Sequence, residues 1–241
     1  MKQTPGKIYL ADQRILTQTK QFRRYSTFNF NGYKQEHKEP IGSLYVFNEE
    51  LLAGSQKLTF AVDQAMHVMH IPITGAANFI DSDGKITLVD VEEVLIYTLA
   101  AGSSYQIANP YEKDTISFLQ IWIKAEQTVD TNSIQLFQFS FSTIQNQLTD
   151  IITAVQALDT AATLPFSLSI GLFAGRQEAI YTLKNKESLF YSFIIAGAFE
   201  IEGRLMQEKD GLALWEAEEV ELEALSNNAL AVVLEVYKPN K

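Results

Sequence analysis

Residues 60–90 read FAVDQAMHVMHIPITGAANFIDSDGKITLVD, and the pattern within them decides the fold class. Apolar and polar residues alternate, and β-branched and aromatic residues are frequent. That periodicity belongs to strands packed on one face. Gly75 divides two such runs, and Asp81-Ser82-Asp83-Gly84 supplies the residues a tight backbone reversal needs before a third. A hairpin with a further strand is expected, with no helix.

Outward from this stretch, the same pattern fills most of the chain. Residues 7–47 give short alternating runs, KIYLADQRIL, YSTFNFNGY and GSLYVFNEE, with a hairpin signal at Asn31-Gly32. Lys34–Pro40, KQEHKEP, is charged and closed by proline, hence a surface loop. Strands are expected over 58–74, 76–82 and 85–99, with another turn at Gly102-Ser103-Ser104. Ile116–Lys124, ISFLQIWIK, is almost continuously apolar and suits a strand buried on both faces. Residues 125–135 are polar and aperiodic, the best candidate linker. Within Gln147–Thr160 a helical spacing of Leu148, Ile151, Ile152 and Val155 competes with strand; strand to about residue 153, then loop, is the reading adopted. From Phe166 onward short strands recur at even spacing, as in a barrel or sandwich. Ile73-Thr74-Gly75-Ala76-Ala77 is echoed by Ile195-Ala196-Gly197-Ala198-Phe199, each in a strand–Gly–strand setting. The echo divides the chain into two halves of similar size, 1–130 and 131–241.

Composition narrows the function classes. The 241 residues are 46% hydrophobic and 11% aromatic, enough for real cores and too much for disorder. No apolar run approaches the roughly 20 residues of a membrane span. The start, MKQTPGKIYLADQR, lacks an apolar signal region, so a cytoplasmic location is expected. The absence of cysteine excludes disulfides, thiolate metal sites and thiol nucleophiles. Nineteen basic against 29 acidic residues leave a net charge of −10, which repels phosphate backbones and argues against nucleic acid as a partner. The basic cluster Lys20, Arg23, Arg24, Lys34 and Lys38 is broken up by aromatics and is expected to be a solvated face.

Asn48-Glu49-Glu50, Ala101-Gly102 and Leu119-Gln120-Ile121-Trp122 are stretches in which the chain resembles the pirin family of bicupins, close to its quercetinase-like bacterial branch. Asn48-Glu49-Glu50 with Ala53-Gly54 resembles the family's approach to its metal-bearing strand. Gly75 through Asp81 keeps the family's spacing from hairpin glycine to turn aspartate. Ala101-Gly102 resembles the pair that precedes the second ligand group, and Leu119-Gln120-Ile121-Trp122 the segment that closes the first cupin. Ile194–Leu214, with Gly197 and Gly203, fits the C-terminal hairpin without gaps, and an acidic strand follows. The resemblance runs nearly end to end and implies an all-β fold of two tandem cupin (double-stranded β-helix, jelly-roll) barrels.

It also implies a metal site, and here the chain departs. Metal-binding relatives use His-x-His on the first strand, then His and Glu two residues apart. Gap-free counting puts these four positions on Ala61, Asp63, Ile107 and Asn109, and Asp63 is the one good ligand among them. A site built from several neutral imidazoles cannot be made from one carboxylate and one amide. The four are expected to mark a ligand pocket in the first barrel, with space at Ala61 for water or a small ligand. His67 falls on the strand face of 61 and 63 and is a candidate pocket-lining residue, roughly 13 Å along from Asp63. His37 sits in a charged loop, and no histidine follows His70. The glutamates between 216 and 223 lack the loop spacing of a calcium site and read as a solvated face. No Gly-x-Ser-x-Gly elbow or phosphate loop occurs.

The expectation is therefore a monomeric pirin-like bicupin without the usual ligands. No resident cofactor and no catalytic residue is expected, although the family usually holds iron or another divalent metal. Its partner would be a small molecule or a protein. The alternative is a metal-dependent quercetin 2,3-dioxygenase-like oxidoreductase, and a regulatory module of the kind some pirins provide is a third reading.

Overall fold

The computed structural model describes residues 4–125, 129, 132–153 and 164–238. Apart from one 3-10 turn at Ala11–Gln13, its regular elements are strands. They are β1 (Gly6–Tyr9), β2 (Ile15–Gln18), β3 (Phe22–Ser26), β4 (Leu44–Leu52), β5 (Lys57–Ala61), β6 (Met66–Thr74) and β7 (Ala77–Ile80). Next come β8 (Ile86–Val89), β9 (Glu93–Leu99), β10 (Ser104–Ala108), β11 (Ile116–Lys124), β12 (Ser133–Gln138) and β13 (Thr149–Ile152). The remainder are β14 (Phe166–Phe173), β15 (Glu178–Thr182), β16 (Leu189–Ala196), β17 (Phe199–Ile201), β18 (Arg204–Met206), β19 (Gly211–Leu214), β20 (Glu219–Ala224) and β21 (Ala229–Val236).

The fold is two cupin barrels. In the first unit, Arg14–Gln138, a seven-stranded sheet β12-β9-β6-β11-β4-β3-β2 faces the four-stranded sheet β5-β10-β7-β8. Its core comes from alternate residues of both sheets, such as Val68, Tyr97, Phe118 and Trp122 from one, and Phe60, Phe79, Tyr105 and Ile107 from the other. β11 lies between β4 and β6 and is buried along nearly its whole length, which is why its sequence is apolar at successive positions. In the second unit the sheets are β1-β19-β16-β21-β14-β13 and β15-β20-β17-β18, enclosing Phe173, Phe190, Phe199, Leu212, Leu222 and Val233. Glu219, Glu221 and the neighbouring acidic positions of β20 face outward, the solvated face expected of them.

The unit boundaries differ from the division at 130/131. Residues 1–13 group with 139–241, because β1 pairs with β19 from Gly6↔Leu214 to Tyr9↔Gly211, and Asp210 Oδ1 accepts a bond from the Ala11 N–H at 2.7 Å. Part of the expected linker is strand: β12 pairs with β9 on the edge of the first barrel. β13 ends at Ile152 as expected, and the helical alternative beyond residue 153 lies outside the described residues. Asn31-Gly32 does not join two strands. Its residues take positive φ (51° and 82°) inside the long connection between β3 and β4.

Gly75 and Gly197 sit at equivalent hairpins, β6–β7 and β16–β17, with φ of 73° and 77°. Asp81 Oδ1 accepts from the N–H groups of Asp83 and Lys85 at 2.9 Å, and Gly84 (φ 81°) completes that turn. A graded response to alanine follows. At Gly84 a Cβ meets open space, so Gly84→Ala is expected to cost only the left-handed backbone penalty, about 1–2 kcal/mol. At Gly197 a Cβ would stand 2.4 Å from Ser226 Oγ and 2.9 Å from Ala229 Cα, so Gly197→Ala adds a steric cost. Urea midpoints should rank wild type, Gly84→Ala, Gly197→Ala in falling order; equal losses would show that backbone crowding at the second hairpin is unimportant.

Candidate functional site

A cleft of about 380 Å³ opens on the first barrel. Its walls are aromatic (Phe30, Tyr33, Tyr45, Trp122) and amide (Asn29, Asn31), with Gly32, Lys34, Glu39, Pro40, Ala61 and Asp63 around them. Asn29 shapes one wall. Its amide donates to Gln35 O at 3.1 Å and Glu39 Oε1 at 3.0 Å, and its carbonyl accepts from Gln35 N at 2.9 Å. A single short side chain thus ties the β3–β4 connection around the cleft.

Beneath the aromatic wall lies a buried ion pair. Arg24 Nε bonds Glu50 Oε1, with the Arg24 and Glu50 side chains 6% and 0% exposed. The guanidinium also lies over the rings of Phe22, Phe30 and Phe60, at 5.1, 4.8 and 5.4 Å from their centroids. This overturns the solvated-face reading of Arg24. β3 pairs Arg24 with Glu50 and Tyr25 with Glu49, so the alternation of Asn48-Glu49-Glu50 sends Asn48 and Glu50 inward and Glu49 to the other face. There Glu49 meets Arg14 at 2.9 Å. Burial pushes the Glu50 carboxyl up to about 7, and Arg24 works against that rise.

The barrel interior beyond is an aromatic stack. Tyr105 lies between Phe60 (5.2 Å) and Phe79 (5.0 Å), and its hydroxyl accepts bonds from Gln120 Nε2 at 2.7 Å and Trp122 Nε1 at 3.0 Å. Burial raises the Tyr105 pKa far above its usual range, so the phenol stays neutral.

The four positions counted from the sequence are not brought together. Ala61 and Asp63 are exposed and line the cleft. Ile107 is fully buried in the core opposite Leu58, while Ala61 stands opposite Ser104. Three residues of register separate Ile107 from Ala61, about 10 Å along the strands. Asn109 braces a turn, donating to Leu52 O and Asp114 O at 2.9 and 2.8 Å and accepting from Tyr111 N. Gap-free counting failed because it carries no information on how β5 and β10 are registered.

His67 is also placed differently. The chain breaks between β5 and β6, so face parity does not carry from Asp63 to His67. Met66 and Val68 enter the first-barrel core, and His67 lies on the opposite face, bonded to Thr98 Oγ1 at 2.9 Å. His70 points into the barrel instead, 4.6 Å from the Phe118 ring. Burial lowers the two imidazoles to about 4 and about 3 respectively, so both are neutral at pH 7. His37 is solvent-exposed in its loop. No imidazole lines the cleft, and among the described residues no three His, Cys, Asp or Glu side chains converge on one point. A cleft with Asp63 and Glu39 as its carboxylates, Glu39 already bonded to Asn29, does not fit an imidazole-rich transition-metal site.

Residues 165–236 match the quercetinase C-terminal cupin domain model. A quercetin 2,3-dioxygenase of Escherichia coli K12 is 20% identical over 206 residues, covering 85% of this chain and 87% of its own. The chain is thus similar to bicupins of the pirin family, and its C-terminal barrel matches the family's cupin domain. In fold the chain resembles YhhW of Escherichia coli (TM-score 0.84, 17% identity, 98% of this chain and 100% of that one). It also resembles the bacterial pirin YhhW in complex with nickel(II), with TM-score 0.82 and 18% identity over 98% and 100% of the two chains. Among the described residues no helix is long and apolar enough to cross a membrane.

Two tests probe the interior of the first barrel. Arg24→Met strands a buried carboxylate and should cost about 3–5 kcal/mol at pH 8, whereas Arg24→Met with Glu50→Leu should cost far less. Because Glu50 can take a proton, Arg24→Met should be less destabilised at pH 5 than at pH 8; a pH-independent loss would contradict the buried-charge account.

For the histidines, the folded pKa lies below the unfolded value of about 6.5, so their contribution is present above it and lost as pH falls toward 4. Glu50 acts oppositely, so the comparison must be between variants. On moving from pH 7.5 to 5, His70→Leu should lose about 2 kcal/mol less stability than wild type. Denaturant titrations at both pH values measure this, and parallel losses would exclude His70 as a buried neutral imidazole.

Proposed function

We propose that this chain is a metal-independent, non-catalytic bicupin that binds a small molecule in the cleft of its first barrel. The observation carrying the reading is the cleft's composition: four aromatic rings, two amides and the Asp63 and Glu39 carboxylates, without an imidazole. Such walls suit a flat aromatic ligand bearing hydroxyl or carbonyl groups. Phe30, Tyr33, Tyr45 and Trp122 offer ring faces and edges, and Asn31, Lys34 and Asp63 offer hydrogen bonds that fix orientation. The chain's net charge of −10 leaves an acidic surface, which supports a protein rather than a nucleic acid as any macromolecular partner.

The second reading is a metal-dependent oxidoreductase acting on flavonols. It is favoured by the name of the Escherichia coli relative, a quercetin 2,3-dioxygenase, and by the nickel(II) in a structural neighbour. That chemistry needs several side chains to hold an ion while leaving coordination positions open. Ala61 offers none, Asp63 offers one carboxylate, and Ile107 and Asn109 are committed to the core and to a turn.

One titration with quercetin separates the two. Binding should quench Trp122 emission, and Trp122→Phe should abolish that part of the signal. Asp63→Ala should weaken the affinity by about tenfold, the equivalent of about 1.4 kcal/mol. Incubated in air with iron, copper, nickel, cobalt or manganese supplied, the protein should consume quercetin no faster than buffer with the same metal. Turnover well above that background, lost on adding a chelator, would overturn the proposal and establish the dioxygenase reading.

A further inference from the structure

Four polar side chains cross the interior wall of the first barrel. Asn48 on β4 stands opposite Gln120 on β11, and Gln120 stands opposite His70 on β6. Directly opposed residues share a sheet face. That face is the barrel interior, since Val46, Trp122 and Val68, one row along, belong to the core. Glu50 projects from the next inward position of β4, and the Asn48 amide is near enough to draw its carboxyl down. All four are fully buried.

Their hydrogen-bonding capacity is largely unused. Both ring nitrogens of His70 and Gln120 Oε1 make no hydrogen bond, and Asn48 and Glu50 Oε2 have no partner beyond the approach of the Asn48 amide to the Glu50 carboxyl. Groups buried in this state carry a large desolvation cost unless something supplies bonds to them. The neutral His70 ring has one donor and one acceptor, so the set comprises four acceptors and two donors. A transition metal suits it poorly: two of the four side chains are amides, and Arg24 already places a positive charge on Glu50. The occupant must both donate and accept, and water does so.

We propose that the first barrel encloses a small cluster of ordered water molecules bound by Asn48, Glu50, His70 and Gln120. A buried water makes about three hydrogen bonds, so on the order of two or three molecules satisfy the six atoms. The cluster adjoins the cleft through bonds already in place: Gln120 and Trp122 both donate to Tyr105, and Trp122 lines the cleft. The site is separate from the small-molecule cleft and stands whether or not that cleft binds a flavonol.

A crystal structure at a resolution that places ordered water tests the proposal. Two or more water positions should lie within about 2.7–3.2 Å of at least two of the named side chains each. Direct bonds among the four side chains without water, or a metal ion or organic molecule in their midst, would overturn it. In solution, magnetic relaxation dispersion of the water oxygen counts long-lived internal waters in the full chain. Asn48→Leu with Gln120→Leu should lower that count by about two, and an unchanged count in a folded variant would overturn the proposal. Should the double variant not fold, the crystallographic result on the wild type decides.

Discussion

The ion pair of Arg24 and Glu50 is the constraint around which the first barrel is arranged. A carboxylate with no solvent exposure is untenable alone, and the guanidinium from the adjacent strand makes it tenable. Arg24 is held in turn by three rings, and two of these have further duties. Phe30 forms part of the cleft wall, and Phe60 stacks on Tyr105. Cleft, aromatic stack and polar row therefore share one electrostatic centre.

Much of the fold was legible because it rests on local rules. Period-two alternation marked the strands, and the continuous apolar run of Ile116–Lys124 marked a strand covered on both faces. Gly75 and Gly197 marked equivalent hairpins because only glycine readily takes the backbone conformation found at both. Long-range pairing was not legible. Nothing in Gly6–Tyr9 says that its partner lies some two hundred residues away on β19. The same limit affected the site. Counting from the resemblance placed Ala61 and Asp63 beside Ile107, but the register that sends Ile107 to the core is a property of two strands together. His67 was misplaced because alternation was continued across a break in the strand. Arg24 was misread because a charged residue among aromatics looks solvated until its partner strand brings Glu50 beside it.

The cupin frame of the first barrel holds an interior that is largely aromatic and aliphatic. The barrel presents Phe60, Tyr105 and Ile107 to its core, and its cleft offers ring faces, amides and carboxylates. Its buried histidines are committed elsewhere, His67 to Thr98 and His70 to the space beside Phe118. A fold shared at low identity suits such a barrel, because its topology depends on apolar alternation and turn glycines more than on the identity of site residues.

The central claim, that the cleft works without a resident metal, is tested most directly by elemental analysis of protein purified without a chelator or an affinity tag, before and after dialysis against added metal. The account predicts iron, nickel, manganese, copper, cobalt and zinc all far below one ion per chain. Close to one ion per chain, retained through dialysis and lost in Asp63→Ala, would contradict it.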